Sequence, residues 1–401
     1  MSQAVVVTGA TGFLGSHLVA GLLGKPSSKY VICLARPKDG RGARDRVVGA
    51  VSRAFEERDA ALKPSFWLDR VVIVEDDLVA GSLAGGDGSF GAIQSYHIED
   101  FWHCAACTDL SNFDERKIWE INSGGLRNAL DCATFLKVTS FNYISTSYVS
   151  GTSSGRIFES GDVRPPGFNN AYEESKYLGE GVVARRCRVS GIGYRIFRPS
   201  ILIGHSRTFR TSSHSGLYHV VRLLKRFREA VLARDPIYFD RLVPRLQVDR
   251  EGVLNLIPVD IAVAEMLDLS ARGVRSMGQT FHITCESPIS TCDAFQTTFS
   301  ALGIKRTDIV GPDAKLSSND RILLRALRFF LPYVNSRKIF DRSHVFMHGC
   351  DHHQSQFIMD VNRLRSFVNY YIVSLGYMDS VPEEGGDRAS FASLPGEHWF
   401  P

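Results

Sequence analysis

A phenol and an ammonium stand four residues apart in Tyr172-Glu173-Glu174-Ser175-Lys176, a spacing that places both on one face of a helix. A tyrosine hydroxyl of ordinary pKa, about 10, is a poor acid near neutrality, and a neighbouring cation makes it a usable proton donor by stabilising the phenolate. Hydride chemistry at a carbonyl needs such an acid, and Lys176 can also hold a nicotinamide ribose. Upstream, Tyr143-Ile144-Ser145-Thr146-Ser147-Tyr148 ends an apolar run in three successive hydroxyls, donors for a substrate oxygen that gains negative charge. Asn122, in Glu120-Ile121-Asn122, is a further polar candidate for ordering water or backbone behind the lysine. A Tyr-x-x-x-Lys pair is common by chance. Here a glycine-rich turn precedes it and Arg198-Pro199 follows it, and the whole set points to catalysis.

That turn is Gly9-Ala10-Thr11-Gly12-Phe13-Leu14-Gly15. Glycines at this spacing, after a strand and before a helix, let the backbone turn tightly and approach a pyrophosphate at the helix N-terminus. Gly9, Thr11, Gly12, Phe13, Leu14 and Gly15 are therefore expected to cradle a dinucleotide. An acidic residue ending the second strand would grip the adenosine ribose and repel a 2′-phosphate. Ala35 and Arg36 stand there instead, with Lys38, Arg41, Arg44 and Arg46 close behind and Asp39 the one acid among them. Guanidinium pairs well with phosphate, so NADP(H) is the expected cofactor, with Arg36 and Arg46 as its phosphate partners. Asp77 and Leu78 are placed to bracket adenine, and Ala105 leaves room for the cofactor. Lys176 and Pro199 complete the expected contacts. Cys104-Ala105-Ala106-Cys107 also spells a CxxC, but no second CxxC accompanies it, and packing at a strand end explains it.

These residues need strands that stop at one edge. Ala4–Val7 is a short apolar run of the kind buried on both faces of a parallel sheet. Further strands are expected at 30–34, 71–74, 100–103, 140–145 and 193–197, with helical stretches between most of them, the pattern of a doubly wound α/β sheet. Beyond Arg198 come long basic helical stretches at 218–234 and 320–331, a His-rich turn near 348–353 and a Gly/Glu/Asp-rich tail near 383–387. Leu254–Ile261 and Gly278–Thr284 still read as sheet. The expected organisation is a Rossmann domain over 1–207, to which 251–290 returns, and a smaller, mainly helical substrate-binding region made of 208–250 and 291–401.

The 401 residues carry 44% hydrophobic and 22% charged side chains and a net charge of +4. This is ordinary for a globular protein and too weakly basic to argue for nucleic acid. Eight cysteines in mostly apolar or helical surroundings, with no signal peptide before the first strand, suit a cytoplasmic location. No apolar run is long enough to span a bilayer.

The motifs Thr8 to Gly15, Cys33-Leu34-Ala35-Arg36, His103-Cys104-Ala105-Ala106, Ser145-Thr146, Tyr172 to Lys176 and Arg198-Pro199-Ser200 resemble the extended short-chain dehydrogenase/reductase superfamily. Within it the sequence is most similar to the fatty acyl-CoA reductases and carrier-protein thioester reductases. The resemblance covers the chain to about residue 205 and again at 255–260. It implies that Thr146 is the catalytic hydroxyl, ahead of Ser145 and Ser147, beside Tyr172 and Lys176. It also implies NADPH-dependent reduction of an acyl thioester, carried by coenzyme A or an acyl carrier protein, to an aldehyde and in some members onward to the alcohol. An NADP(H)-dependent ketone or alcohol oxidoreductase acting on a lipid-like or polyketide substrate would keep the same Tyr172 and Lys176. A non-catalytic NADP(H)-binding sensor would have no need of them.

His219–Arg234 reads as a basic helix with Val220, Val221, Leu223, Leu224 and Phe227 on its apolar side. It suits the phosphates of coenzyme A or an acidic carrier, and equally a solvated basic face. Leu323–Tyr333 suits an acyl-pocket wall, peripheral contact with a membrane, or plain core packing. His344, His348, Cys350, Asp351, His352 and His353 lack metal-site spacing, and no metal is expected.

Overall fold

The computed structural model of the protein describes residues 1–24, 29–58, 65, 67–79, 93–161, 164–354 and 357–378; the expected acidic tail at 383–387 lies outside them. The first elements are β1 (Ser2–Thr8), α1 (Phe13–Gly24), β2 (Tyr30–Ala35), α2 (Ala43–Glu57), β3 (Val71–Glu75) and β4 (Tyr96–His103). Then follow α3 (Glu115–Trp119), a π-turn at Glu120–Gly124, α4 (Gly125–Phe135), β5 (Ser140–Ile144), β6 (Gly155–Ile157), α5 (Ala171–Ser190), β7 (Gly193–Pro199) and β8 (Ile201–Ile203). The middle of the chain supplies α6 (Leu217–Arg234), α7 (Tyr238–Arg241), β9 (Arg245–Gln247), β10 (Val253–Leu254), β11 (Leu256–Pro258), α8 (Val259–Ala271) and β12 (Gln279–Ile283). Last come β13 (Ile289–Ser290), α9 (Thr291–Ala301), β14 (Asp308–Val310), α10 (Ser318–Ala326), α11 (Leu331–Val334), β15 (Lys338–Phe340), α12 (Ser343–Met347) and α13 (Val361–Met378). Among the described residues no helix is long and apolar enough to cross a membrane.

The chain divides into two compact units, one of residues 1–208, 257–286 and 338–358 and the other of 209–256, 287–337 and 359–401. In the first, seven parallel strands run in the order β12-β7-β5-β4-β1-β2-β3. From β1 the chain winds outward through β2 to β3, then crosses back to lay β4 on the other side of β1. A crevice opens at such a switch point, outside the carboxyl ends of the strands. The register aligns those ends, with Thr8 opposite both Leu34 and His103, His103 opposite Tyr143, and Ile144 opposite Phe197. The residues that follow each strand therefore meet along one edge.

The central strands read as unbroken apolar runs because helices cover both faces. β5 is buried at all five positions, and β1 is buried from Ala4 to Thr8. Leu254–Ile261, expected as sheet, yields only the short β10 and β11 before α8 begins at Val259. Pro258 supplies extended backbone and the missing donor that suit the residue before a helix.

Residues 338–358, expected in the substrate-binding region, pack in the first unit instead. The cause is strand pairing, since β15 lies parallel to β6 with Lys338 opposite Gly155 and Phe340 opposite Ile157. Just beyond, Arg342 forms a buried ion pair with Glu265 of α8 at 2.8 Å, and Gln354 donates to the same carboxylate oxygen at 2.8 Å.

In the second unit α6 buries Leu217, Tyr218, Val220, Val221, Leu224, Phe227 and Val231, and leaves Arg226 exposed. The ring of Tyr371 on α13 packs tilted against Tyr218 with centroids 4.6 Å apart, and Phe367 meets Phe209 edge-on at 5.0 Å. α10 starts in a reciprocal cap between Ser317 and Asp320. Leu323 and Leu327 are fully buried, so this apolar stretch serves at least in part as core.

Because Arg342 and Glu265 share a dry site, truncating one partner strands the other. Arg342→Met is expected to lower the stability of the folded chain by about 3–5 kcal/mol in urea unfolding, and Arg342→Met/Glu265→Gln to recover part of that loss.

Candidate active site

Thr8 ends the first strand at the switch point, and Gly9 follows it. Gly9 has φ +70°, and a Cβ there would lie 2.6 Å from the Ala105 amide nitrogen and 2.8 Å from the Cys104 carbonyl carbon. A Cβ on Gly15 would strike the Gly9 carbonyl. Side chains are excluded at both positions, which is why the turn between β1 and α1 can lie against the end of β4. The Gly12 amide donates to the Gly9 carbonyl at 2.9 Å, and Gly12 accepts the first helical bond from Ser16 at 2.9 Å. Helix geometry leaves the N–H groups of Phe13, Leu14 and Gly15 without intrahelical acceptors. Bare backbone and open amides at the mouth of a parallel sheet fit the pyrophosphate of a dinucleotide.

The Thr8 hydroxyl ties the two strand ends together, 3.0 Å from His103 Nδ1 and accepting from the Ala105 amide at 3.3 Å. Burial, reinforced by the Lys176 charge, pushes His103 down to about 3 and keeps it neutral. The same burial pushes the Cys104 thiol up to about 12, which holds it as the thiol rather than as a thiolate nucleophile at neutral pH.

At the end of β2, Arg36 is exposed and its guanidinium reaches Asp77 at 3.0 Å. Arg46 donates to the Arg36 carbonyl and, at 3.3 Å, to the Thr11 hydroxyl. Arg46 thus joins the Arg36 backbone to the glycine turn, and Asp77, read in the sequence as an adenine neighbour, is the acidic partner of Arg36. The Leu78 carbonyl accepts from Asn128 at 2.5 Å.

α5 carries the catalytic candidates. Asn170 caps it, accepting from the Glu173 amide at 3.0 Å, and Gly191 in the left-handed region closes it. Its inner face presents Ser175, Lys176, Gly179, Glu180, Val183 and Cys187 at helical spacing. Gly179 permits the approach to β5, since a Cβ there would lie 2.5 Å from the Tyr143 hydroxyl. Lys176 is 2% exposed, donates to the Ile144 carbonyl at 2.7 Å and lies 4.7 Å from the Tyr143 ring centroid. Burial lowers Lys176 to about 8, against the opposing influence of Cys104 and Glu180.

Tyr172 sits one turn earlier and is half-buried. Burial pushes its phenol up to about 12, and a hydrogen bond with Thr146 opposes that rise. Of the three hydroxyls after β5, Ser145 is committed to Glu180 at 2.6 Å. The same carboxylate accepts two bonds from Arg198, at 2.9 and 2.7 Å. Ser147 is fully buried. Thr146, 3.5 Å from the Pro199 carbonyl, is the hydroxyl that meets Tyr172.

Asn122, on the π-turn, accepts from the Cys107 amide at 2.7 Å and donates to the Cys107 carbonyl at 3.0 Å and the Ser175 hydroxyl at 2.9 Å. It joins the loop after β4 to the residue before Lys176. Glu180 and Arg198 were missed as a pair in the sequence. Glu180 follows Lys176 by one helical turn, which was the available signal.

The histidines scatter. His344 contacts the Thr280 carbonyl at 2.8 Å, and His348, beyond the short α12, contacts Gln279 at 3.0 Å. Asp268, His352 and His353 do bring three ligand atoms within 4.8 Å of one another, but Arg272 stands 3.6 Å from the same Asp268 oxygen that faces both imidazoles. That guanidinium already supplies a positive charge beside the carboxylate.

Residues 7–266 match the family described as Male sterility protein. Among curated proteins, the non-canonical nonribosomal peptide synthetase cpsA of Aspergillus campestris is 27% identical over 294 residues, 70% of this chain and 25% of that protein. The nonribosomal peptide synthetase asaC of Aspergillus flavus is 23% identical over 345 residues, 82% and 31% of the two chains. The chain thus spans about a quarter to a third of the length of these relatives. Among solved structures, the terminal R domain of the myxalamid PKS-NRPS biosynthetic pathway superposes with TM-score 0.70 at 23% identity, covering 96% of this chain and 93% of that one. UDP-glucuronic acid 4-epimerase from Bacillus cereus, in complex with UDP-glucuronic acid and NAD, does so with TM-score 0.61 at 18% identity, covering 93% and 99%. Both likenesses establish the fold.

Two measurements follow from the geometry. Gly9→Val forces a side chain into the end of β4 and is expected to weaken binding of the reduced nicotinamide dinucleotide at least about a hundredfold in a fluorescence titration. With Lys176 lowered to about 8, turnover is expected to fall as pH rises through about 8 if Lys176 acts, as the motif leads one to expect, as the ammonium that supports a Tyr172 phenolate. Motif, sheet and family match converge: the chain belongs to the male sterility protein family and is an extended short-chain dehydrogenase/reductase, an oxidoreductase that uses a nicotinamide dinucleotide.

Proposed function

We propose that the chain reduces an acyl thioester to an aldehyde with NADPH. The observation that carries this reading is the meeting of the Thr146 hydroxyl and the Tyr172 phenol above the buried Lys176 ammonium, at the same sheet edge as the glycine turn. Support for a thioester comes from the relatives, which are peptide synthetases, and from structural neighbours that include a terminal R domain and a thiolation-reductase di-domain from an archaeal nonribosomal peptide synthetase.

Thr146 and Tyr172 donate to the thioester carbonyl oxygen and hold it as negative charge grows there. Bound NADPH supplies the hydride. Tyr172 passes its proton to that oxygen, and the Lys176 charge lowers the energy of the phenolate left behind. When the hemithioacetal collapses, Tyr172 takes the hydroxyl proton back, the C–S bond breaks and the thiolate leaves to be protonated. The sum is thioester, NADPH and one proton in, and aldehyde, thiol and NADP⁺ out.

NADP(H) is favoured over NAD(H) by Arg36 and Arg46 around the turn and by Ala35 where an acid would grip the ribose. Thr11, Phe13, Leu14, Leu78, Ala105 and Pro199 are assigned to the cofactor's walls. A carrier-protein thioester is the proposed substrate, with coenzyme A esters sharing the same reacting group, and the cytoplasm is the proposed location.

NADPH oxidation measured with a panel of acyl-coenzyme A and acyl-pantetheine esters tests the reading. Turnover of at least one chain length is expected, and Tyr172→Phe is expected to lower kcat by about 10² to 10⁴ while leaving NADPH affinity unchanged. No oxidation with any ester, alongside turnover of a ketone, overturns it.

A further inference from the structure

A second buried lysine, absent from the motifs, lies beside this site. Lys338 opens β15 and is 5% exposed. Its Nζ donates to the Gly151 carbonyl at 2.5 Å and lies 5.3 Å from the centroid of the Tyr148 ring. Both contacts fall in the turn that begins at Thr146, since Tyr148 donates its amide to the Thr146 hydroxyl at 3.3 Å and Gly151 ends the helical turn Ser147–Ser150. The turn that Lys338 grips lies close against the loop before the catalytic helix, where the Thr152 amide donates to the Gly167 carbonyl at 2.9 Å. Gly151 has φ +52°, and a Cβ there would strike the Gly167 carbonyl.

The same carbonyl leads to the catalytic helix. Asn169 Nδ2 approaches it at 3.4 Å and also donates to both Glu173 carboxylate oxygens, at 3.1 and 3.0 Å. The Asn169 amide adds a third bond to Glu173 at 2.9 Å. Glu173 directly follows Tyr172 and has no exposed surface. A buried carboxylate needs a nearby cation, and Lys338 interacts with Glu173 electrostatically. One ammonium therefore meets the hydroxyl-bearing turn through Gly151 and Tyr148, and the phenol-bearing helix through Asn169 and Glu173.

We propose that Lys338 is a positioning residue for hydride transfer, setting the separation of Thr146 and Tyr172 by bracing the Gly151 carbonyl against the Asn169–Glu173 start of the catalytic helix. The proposal rests on the reading of Thr146 and Tyr172 as the groups that hold the substrate oxygen. In this role Lys338 acts through Gly151, Tyr148 and Glu173, so its loss changes the geometry of Thr146 and Tyr172. Small displacements of groups around a reacting centre cost rate far more than binding.

The experiment compares wild type, Lys338→Met and Lys338→Arg in the full chain, with NADPH and the most active ester of the panel. Lys338→Met is expected to lower kcat about tenfold or more with the KM for NADPH within about twofold of wild type, and Lys338→Arg to recover most of the loss. Amide deuterium uptake is followed in parallel. Lys338→Met is expected to speed exchange in both 146–152 and 169–174, segments far apart in sequence that a loose strand end alone would not move together. If Lys338→Met does not fold, Lys338→Gln, which keeps a donor for Gly151 without the charge, takes its place. An unchanged kcat, or unchanged exchange in either segment, overturns the proposal. A wild type that turns over no ester overturns the thioester reading, while the exchange comparison still decides whether Lys338 braces the two segments.

Discussion

An ammonium taken out of water is the constraint around which the site is arranged. Lys176 is nearly inaccessible and donates to the carbonyl of Ile144, the last residue of β5. Holding a charge there demands compensation from every side. The Tyr143 ring offers its face, and Glu180 stands one helical turn away, itself divided between Ser145 and a bidentate Arg198. The commitment of Ser145 to that network leaves Thr146 to meet Tyr172. The choice among three adjacent hydroxyls is thus made by the electrostatics beneath them.

The second constraint is steric. The turn after β1 and the end of β4 approach so closely that Gly9 has no room for a Cβ. The strand order forces this approach, since crossing from β3 back to β4 sets two strand ends side by side with no helix between them. The dinucleotide crevice and the catalytic edge are consequences of one topology. The Thr8–His103 contact, with His103 kept neutral, stitches the two ends without adding charge to a place meant for phosphates.

What the sequence made legible was local. The apolar runs at 4–7, 30–34, 71–74, 100–103, 140–145 and 193–197 all lie in strands of the central sheet or run one residue past them, and Gly9 to Gly15 forms the turn after the first, because each depends on its immediate neighbours. Leu254–Ile261 misled because an apolar run looks alike in strand and helix, and only the beginning of α8 at Val259 separates the two. Arg36 read as a phosphate ligand beside Arg46, although its partner Asp77 lies 41 residues on. Lys338 gave no signal whatever. Its meaning comes from β15 pairing with β6 across 183 residues, Lys338 opposite Gly155, and no window along the chain contains that fact.

That pairing has a consequence for how the protein is made. The first unit is drawn from three stretches, 1–208, 257–286 and 338–358, separated by chain that belongs elsewhere. On a ribosome, α5 with its Tyr172 and Lys176 emerges well before β15 is synthesised. The core strands can pair early, while the strand that carries Lys338 must wait and then close a long loop to reach β6, a slow step of high contact order. A nascent chain halted between them would hold the catalytic side chains on a formed helix and still lack their brace. Completion of the site is thereby tied to the last stretch of the first unit to arrive.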